Sequence, residues 1–345
     1  MRSIRNCPVA VVGGAGFLGS HLTDFLIEER GCSVLVIDNL VSGRREFIHP
    51  EAEFVHHDIT TSESHLRHLF ADYGIRFVFN YVAIPYVPDS YARPLHTFDV
   101  NAMGALKVIH AAQEAGVKAT MQISSAEVFG EGTRHEEKID ELDHVVPHSS
   151  YGASKAAIDA LVQVRWREAQ TPCIALRQFN ALGERDVLHP YIVPEIYRQL
   201  QAQPRTGAVL FLGNDSTRDF LYAGDQARMA TELLERGEFG EVYNLGSETG
   251  IKIYDLARMI ADIMGFDGVT IEPDPARMRA WEIWHLQSDN AKIYSVIEAR
   301  PQVGLEEALR RTIRYFDEHV RGWTWGANLT NGSKRNSLTG AASPT

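Results

Sequence analysis

Residues 8–19, PVAVVGGAGFLG, constrain the fold more than any other part of the chain. They begin with an apolar, β-branched run of the kind that forms a buried parallel strand. Gly13, Gly16 and Gly19 then follow at three-residue spacing, and the chain continues with helical periodicity. A strand, a glycine-rich turn and a helix in this order favour a pyrophosphate site, because the backbone approaches closely and the N–H groups of the helix end face the anion.

A second apolar run supports this interpretation. Residues 32–37 have the pattern of another buried strand and lead into Asp38, nineteen positions after Gly19. A carboxylate at this distance accepts hydrogen bonds from the ribose hydroxyls of a dinucleotide and repels a 2′-phosphate, which favours NAD over NADP. Either half alone is also consistent with an ordinary turn and a surface aspartate. Together they predict a dinucleotide site.

The length and charge of the chain limit the kinds of protein that it can be. At 345 residues it exceeds the usual size of a single hydrophobic core, which predicts one large domain and a smaller one. A hydrophobic content of 44% and a charged content of 23% are typical of a globular protein. The net charge of −11 argues against nucleic acid as a partner.

Other features bear on the compartment and on metal binding. Cys7, Cys32 and Cys173 are scattered without metal-ligand spacing, so we expect no metal site and a reducing cytoplasm. We see no apolar signal segment before the first strand and no run long enough to span a membrane, which predicts a cytoplasmic protein without a membrane partner. The polar residues 327–345 are expected to form a disordered tail.

Strand and helix patterns alternate along the first half of the chain, which predicts an α/β fold with a doubly wound parallel sheet. Residues 52–56, 76–82 and 119–123 have strand patterns, and residues 101–115 have the pattern of a long helix. Ligands of such sheets bind beyond the carboxyl ends of the strands. One edge of the sheet should therefore bring together Gly13, Asp38, Asp58, Ala83 and Ser125.

From about residue 181 onward the alternation becomes irregular. Amphipathic helical patterns appear at residues 225–236, 253–264 and 305–320, with short strand patterns between them. We expect this part to be mainly a smaller α/β domain that binds substrate. Residues 241–245 are expected to return to the main sheet, so the two domains should be interleaved.

Tyr151 and Lys155 lie four residues apart at the start of a predicted helix, and therefore share one face of it. A nearby ammonium group favours the tyrosinate form, so this pair could provide a base. Taken alone, the pair could also be an ordinary surface contact. Ser125, at the end of the fifth strand, would add a hydroxyl that holds a substrate oxygen while Tyr151 takes a proton.

These motifs resemble those of the extended short-chain dehydrogenase/reductase family, and in particular its nucleotide-sugar epimerases, dehydratases and decarboxylases. The resemblance extends from Val9 to Tyr315 and rests on Gly13-x-x-Gly16-x-x-Gly19, Asp38-Asn39, Asp58-Ile59, Ser124-Ser125 and Tyr151-x-x-x-Lys155. It implies a Rossmann domain at residues 1–180 and a substrate domain at 181–326. It also implies NAD as a tightly held cofactor, a nucleotide-diphosphate sugar as substrate, and a homodimer formed by the helices near residues 101–115 and 151–167.

The resemblance and the motifs together give a set of candidate site residues. The catalytic candidates are Ser125, Glu127, Tyr151 and Lys155. The candidates for binding the cofactor are Gly13, Gly16, Phe17, Leu18, Gly19, Asp38, Asn39, Asp58, Ile59, Val82, Ala83, Asn101, Tyr151, Lys155 and Phe179. The candidates for binding the substrate are Ser125, Asn180, Arg218 and Arg277, and Arg279 is equally consistent with a solvated loop.

Glu127 decides which reaction of this group we expect. Simple 4-epimerases of the family usually lack an acidic residue here, whereas 4,6-dehydratases use a glutamate to remove the C5 proton of the sugar. The resemblance therefore favours an NAD-dependent nucleotide-sugar 4,6-dehydratase. Decarboxylases of UDP-glucuronate carry the same glutamate, and Ala126 departs from dehydratases that have aspartate there, so a decarboxylase and an epimerase stay open. A non-catalytic nucleotide sensor is the alternative of another class, against which Tyr151, Lys155 and Ser125 argue.

Overall fold

A computed structural model describes residues 2–130, 137–279 and 281–320. The strands are β1 (Pro8–Val12), β2 (Ser33–Asp38), β3 (Glu53–His56), β4 (Phe77–Asn80), β5 (Ala119–Ser125), β6 (Cys173–Gln178), β7 (Asn180–Leu182), β8 (Val209–Leu212), β9 (Thr217–Tyr222), β10 (Val242–Leu245), β11 (Gly250–Lys252), β12 (Thr270–Pro273) and β13 (His285–Leu286). The helices are α1 (Phe17–Glu28), α2 (Glu63–Asp72), α3 (Val87–Ala92), α4 (Pro94–Phe98), α5 (Gly104–Glu114), α6 (Ser150–Ala169), α7 (Ile192–Gln201), α8 (Ala223–Arg236), α9 (Ile253–Ile263), α10 (Ala291–Tyr294) and α11 (Leu305–His319). The predicted disordered tail at 327–345 lies outside the described residues, as does the end of the predicted substrate domain.

Seven strands form one parallel sheet in the order β3-β2-β1-β4-β5-β6-β10. The chain moves outward from β1 in one direction and then, after β3, outward in the other, so the sheet is doubly wound as predicted. Its central strands β4 and β5 are buried along their whole length, because helices cover both faces. The predicted return of the chain to this sheet near residue 242 is also confirmed, since β10 pairs with β6.

Two apolar cores lie on the two faces of the main sheet. On one face α1 packs against α8, and side chains such as Leu22, Leu26 and Leu233 fill the space above β1 and β4. On the other face α2 packs against α5 around Leu66, Phe70 and Val108. Helix α8 therefore packs on the main sheet although it follows residue 181 in the chain.

A third core belongs to the later part of the chain. Strand β9 pairs with β7, β11 and β13, and β8 pairs with β12. Helices α7, α9 and α11 cover these short strands and bury Tyr197, Leu256 and Phe316. The chain thus crosses more than once between the main sheet and this second layer. The division into domains at residue 180 stays a prediction.

The structure differs from the predicted elements in two places near the site. The helix predicted at 101–115 starts earlier, at Pro94, and is interrupted by a π-helical turn at Asp99–Met103. Proline at the first helical position is a start signal that the predicted bounds missed. Strand β5 was predicted to end at residue 123 but continues to Ser125, because its pairing with β6 reaches Gln178. Ser125 is therefore the last residue of β5 and still pairs with β6.

The structure can be searched for membrane-spanning helices and for groups of metal-binding side chains. Among the described residues, no helix is long and apolar enough to cross a membrane. In the same ranges, no group of three or more His, Cys, Asp and Glu side chains could hold a metal ion. The cysteines Cys7, Cys32 and Cys173 are buried with free thiols, so they act as small apolar side chains.

Candidate active site

The glycine turn after β1 is built so that only glycines fit. Gly13 has a φ of +83°, and a Cβ there would lie 2.8 Å from the backbone nitrogen of Val82. A Cβ on Gly19 would overlap the carbonyl oxygen of Gly13. Gly16 caps α1 without a side chain, which leaves the N–H groups of the first helical turn facing outward. This cradle fits a pyrophosphate at the positive end of a twelve-residue helix.

Two carboxylates lie at the outer end of the cradle. Asp38, which is 7% exposed, accepts backbone hydrogen bonds from Ala15 at 3.0 Å and from Leu40 at 2.8 Å. Burial raises its pKa, and these hydrogen bonds oppose the effect. Asp58 accepts a hydrogen bond at 3.0 Å from Asn39, so the two residues after β2 and β3 are linked. The arrangement fits an adenosine ribose, as the sequence predicted.

A single cavity of about 1020 Å³ runs from this cradle along the carboxyl edge of the sheet. It contacts both the main sheet and the second layer, from Gly13 on one side to Arg277 on the other. All the predicted site residues except Asn101 line it: Gly13, Gly16, Phe17, Leu18, Gly19, Asp38, Asn39, Asp58, Ile59, Val82, Ala83, Ser125, Glu127, Tyr151, Lys155, Phe179, Asn180, Arg218 and Arg277. The predicted site is therefore brought together as one place.

Asn101 lies behind the cavity wall rather than in it. Its side chain is buried in the π-helical turn, where it accepts a hydrogen bond from the backbone of Ile84 at 2.8 Å and donates one to Ser154 at 2.9 Å. The amide therefore fixes the loop after β4 to helix α6. Asn101 positions the wall of the cavity and does not line it.

Tyr151 and Lys155 face the cavity from the first turns of α6. Burial raises the pKa of the Tyr151 phenol to about 12, a hydrogen bond with Ser125 opposes this, and the nearby Glu127 charge adds to it. Lys155 donates to the backbone oxygen of Ile123 at 2.6 Å, and its Nζ atom is 5.8 Å from the centre of the Tyr151 ring. Burial lowers the pKa of Lys155 to about 8. Burial thus favours the neutral form of both side chains, and the activation of Tyr151 by Lys155 stays a prediction.

Three arginines enter the cavity from the second layer, and each binds a glutamate. The pairs are Arg279 with Glu127 at 2.9 Å, Arg277 with Glu195 at 2.8 Å and Arg218 with Glu282 at 3.3 Å. Arg279, left open in the sequence, thus touches the catalytic candidate Glu127. These arginines provide the fork of donors that suits phosphate oxygens, while their glutamates keep the cavity from being strongly positive.

Sequence reasoning missed a group of side chains from the loops after β4 and β7. Tyr86, His189 and Tyr191 form an aromatic cluster with ring centres 5.5–6.0 Å apart, and all three line the cavity. Asp186, from the loop after β7, also lines it and is buried. The loop has no periodicity, so its residues could not be assigned to a face. The only available signal was the presence of several titratable side chains in one irregular segment.

The glycine cradle, the carboxylate after β2 and the tyrosine–lysine pair define an NAD-binding α/β enzyme. The comparisons with known proteins make this specific. Residues 9–246 match the model of the NAD dependent epimerase/dehydratase family, and the chain belongs to that family. Its cofactor is therefore NAD, which the cradle fits.

Relatives within the family carry out more than one reaction. A UDP-glucose 4-epimerase from Lacticaseibacillus casei is 31% identical over 91% of this chain and 98% of its own length. The crystal structure of a UDP-glucose 4-epimerase from Thermotoga maritima with UDP-glucose has a TM-score of 0.82, with 28% identity over 91% of this chain and all of that one. A dTDP-glucose 4,6-dehydratase from Streptomyces venezuelae with NAD bound has a TM-score of 0.81, with 26% identity over 90% and 97% of the two chains.

Proposed function

We propose that the protein is an NAD-dependent nucleotide-sugar 4,6-dehydratase. The observation that carries this proposal is the place of Glu127, whose carboxylate lines the same cavity as Tyr151 and is close enough to raise the pKa of that phenol. A carboxylate beside the tyrosine serves no purpose in moving one hydride and one proton at C4. It is suited to removing the C5 proton, which becomes acidic once C4 is a ketone.

The roles of the other residues follow from their positions. Ser125 shares a hydrogen bond with Tyr151, so it can hold the C4 oxygen while the phenol takes the proton. Lys155, fixed by Ile123, is placed to bind the ribose next to the reacting ring. NAD supplies the hydride acceptor for C4, and its oxidised ring brings a positive charge that favours the tyrosinate. The cavity wall then has to exclude water from the ketone.

The second layer is proposed to bind the nucleotide diphosphate of the substrate. Arg218 and Arg277 line the cavity on the side opposite the glycine cradle. Both already bind carboxylates, so a diphosphate would replace or share these contacts. UDP-glucose and dTDP-glucose, after which the two solved relatives are named, carry such a diphosphate. Asn180, at the start of β7, also lines the cavity.

A 4-epimerase is the second candidate, and two observations favour it. Ala126 offers no acid to a departing hydroxyl, and Glu127 is engaged in an ion pair with Arg279. The relatives reported above also include two 4-epimerases. For dehydration, this ion pair has to open or shift so that one oxygen of Glu127 can reach C5.

The experiment that tests the proposal offers the purified protein a panel of nucleotide sugars and identifies products by mass. Loss of one water from a nucleotide hexose supports the dehydratase. A product of unchanged mass with inverted C4 supports the epimerase, and loss of carbon dioxide from a nucleotide uronate supports a decarboxylase. Binding of every sugar without any product would leave only the non-catalytic sensor.

We further propose that the protein is a homodimer and that α4, the π-helical turn and α6 form the interface. These elements contact one another and present apolar side chains to solvent. Leu95 is 87% exposed, Met103 48%, Val164 40% and Phe98 39%. A cluster of large exposed apolar side chains on neighbouring helices is typical of an interaction surface. Met103 and Val164 lie within the helices expected to dimerise from the sequence, whereas Leu95 and Phe98 lie on α4, before them. The cytoplasmic location stays a prediction.

A further inference from the structure

The cavity wall contains a buried carboxyl group that none of the steps above uses. Asp186 lies in the loop after β7, lines the cavity and is 3% exposed. The two preceding residues are fixed elsewhere, since Tyr222 donates to Glu184 at 2.9 Å and Arg185 binds the carboxylate of Asp24. These contacts anchor the start of the loop outside the cavity. Asp186 is the residue at which the loop reaches the cavity.

Asp186 differs from the glutamates of the wall in its electrostatic surroundings. Each of the three glutamates binds an arginine: Glu127 with Arg279, Glu195 with Arg277 and Glu282 with Arg218. Asp186 has no such ion pair within the described ranges, and burial raises its pKa to about 8. At neutral pH it is therefore a carboxylic acid, which carries a proton that the three ion-paired glutamates cannot offer.

Tyr191 connects this acid to the place of oxidation. After burial, the largest influences that raise the pKa of Tyr191 are the charges of Tyr151 and Asp186. The ring is held by His189 and Tyr86, with ring centres 5.5 and 6.0 Å away. Tyr191 therefore interacts electrostatically with both the C4 base and the buried acid.

We propose that Asp186 is the general acid of the elimination step and gives the proton that leaves with the C6 hydroxyl as water. The proposal rests on the proposed dehydratase function. It provides the acid for the departing hydroxyl that Ala126 cannot supply. A carboxylic acid with a raised pKa is suited to this task.

The atoms balance over one turnover. The C4 hydrogen leaves as hydride to the cofactor, and the O4 proton goes to Tyr151. Glu127 takes the C5 proton, the C6–O bond breaks, and the hydroxyl takes the Asp186 proton, which leaves a C5=C6 double bond and water. C6 then takes back the hydride, and Glu127, whose proton exchanges with solvent, protonates C5. Tyr151 gives its proton to solvent and Asp186 takes one back from solvent, so the net change is the loss of one water.

The pH dependence has to be separated from that of other groups. Around Tyr191 and Asp186 lie the phenols of Tyr151 and Tyr86, the imidazole of His189, whose pKa burial lowers, and the guanidinium of Arg279. Lys155 is a further group of the same cavity with a pKa of about 8. An alkaline fall in activity is therefore informative only as a difference between the wild type and a variant that lacks the Asp186 acid.

The test compares the wild-type holoenzyme with Asp186→Asn, which keeps the shape but has no acid proton. The variant should bind NAD and reduce it transiently with the sugar, yet its kcat for water loss should fall by about 10²–10⁴-fold with little change in KM. The fall of kcat that the wild type shows above about pH 8 should differ in the variant. Asp255→Asn is the matched control, because Asp255 lies on α9 in an exposed pair with Arg258 at 2.8 Å. It should dehydrate at about the wild-type rate.

A second measurement does not depend on turnover. Infrared spectra of the holoenzyme at pH 7 should show a protonated carboxyl band that Asp186→Asn removes and Asp255→Asn keeps. Absence of that band overturns the proposal, as does water loss by Asp186→Asn at the wild-type rate and pH profile. If the wild type itself gives products of unchanged mass, the dehydratase function fails, and the inference fails with it. A dehydrating wild type with an unaffected variant overturns the inference alone.

Discussion

At the scale of single residues, Glu127 separates the proposed reaction from epimerisation. Glu127→Gln keeps the size of the side chain but removes the base, and a positioned base contributes about 10²–10⁴-fold to a rate. The variant should therefore still form the C4 ketone and reduce NAD transiently, yet stop before water is lost. In deuterium oxide the wild type should place deuterium at C5 of the product, which mass spectrometry or NMR detects.

Arg279 gives the control for that experiment. Arg279→Lys keeps a positive charge beside Glu127, so it should retain deuterium incorporation at C5 even if the substrate binds more weakly. A wild-type product without deuterium at C5 and with inverted C4 would contradict the role of Glu127 and favour the epimerase.

Arg218 is expected to bind the diphosphate of the substrate. Arg218→Ala removes a charge-assisted contact worth roughly 1.5–3 kcal/mol, which is about one to two decades of affinity. Affinity for a nucleoside diphosphate, measured by calorimetry, should fall by that amount, whereas affinity for NAD should not change. Arg258→Ala is the control, because Arg258 forms an exposed pair with Asp255 on α9. Equal nucleoside diphosphate affinity of Arg218→Ala and the wild type would refute the assignment.

At the same scale the sequence predicted residues whose role follows from local pattern. Gly13, Asp38 and the Tyr151–Lys155 pair could be found because each has a fixed distance from a strand or helix end. Asp186 and the ion pair of Arg279 with Glu127 could not, because they depend on which distant segments meet at the cavity. The burial that raises the pKa of Tyr151 likewise depends on the folded cavity and not on the local pattern.

At the scale of elements, the turn between β1 and α1 depends on close packing of its glycines. Gly19→Ala would push a Cβ into the carbonyl oxygen of Gly13, and the shift that follows should misplace the N–H groups of α1. We expect a loss of NAD binding and a lower free energy of unfolding, by about 1–3 kcal/mol. Gly304→Ala, at a glycine with open space around its Cβ position, is the control. Calorimetric titration with NAD and thermal unfolding give both quantities, and wild-type NAD affinity in Gly19→Ala would contradict the expectation.

The helix before β5 shows what an element pattern can miss. The apolar periodicity at 101–115 predicted its second half, but the π-helical turn at Asp99–Met103 depends on tertiary contacts. There Asn101 turns inward and bonds Ile84 and Ser154, which lie far from it in the chain. Periodicity reports which face of a helix is buried and carries no information on such a partner.

At the scale of the whole molecule, the sequence predicted the sheet and the single edge where the site lies. Alternating strands and helices leave few topologies, and parallel strands bring their carboxyl ends together. The second layer was harder, because β7, β9, β11 and β13 are short and pair across long stretches of chain. Such strands have too few residues to show a period, so their partners appear only in the folded molecule.

The proposed homodimer is the last feature at this scale. Leu95 is 87% exposed on α4, beside the exposed Phe98 and Met103, and burying these side chains in a partner removes apolar surface from water. A charge at the centre of such a patch has to be desolvated on association, so Leu95→Glu should shift the protein from dimer to monomer in sedimentation velocity. Phe211→Glu places the same charge on the exposed face of β8, in the second layer, and should leave the dimer intact. A wild type that sediments as a monomer would overturn the proposed dimer. A Leu95→Glu variant that stays dimeric would overturn this surface as its interface, because an interface of the usual size, about 800 Å² per partner, does not tolerate an unpaired carboxylate at its centre.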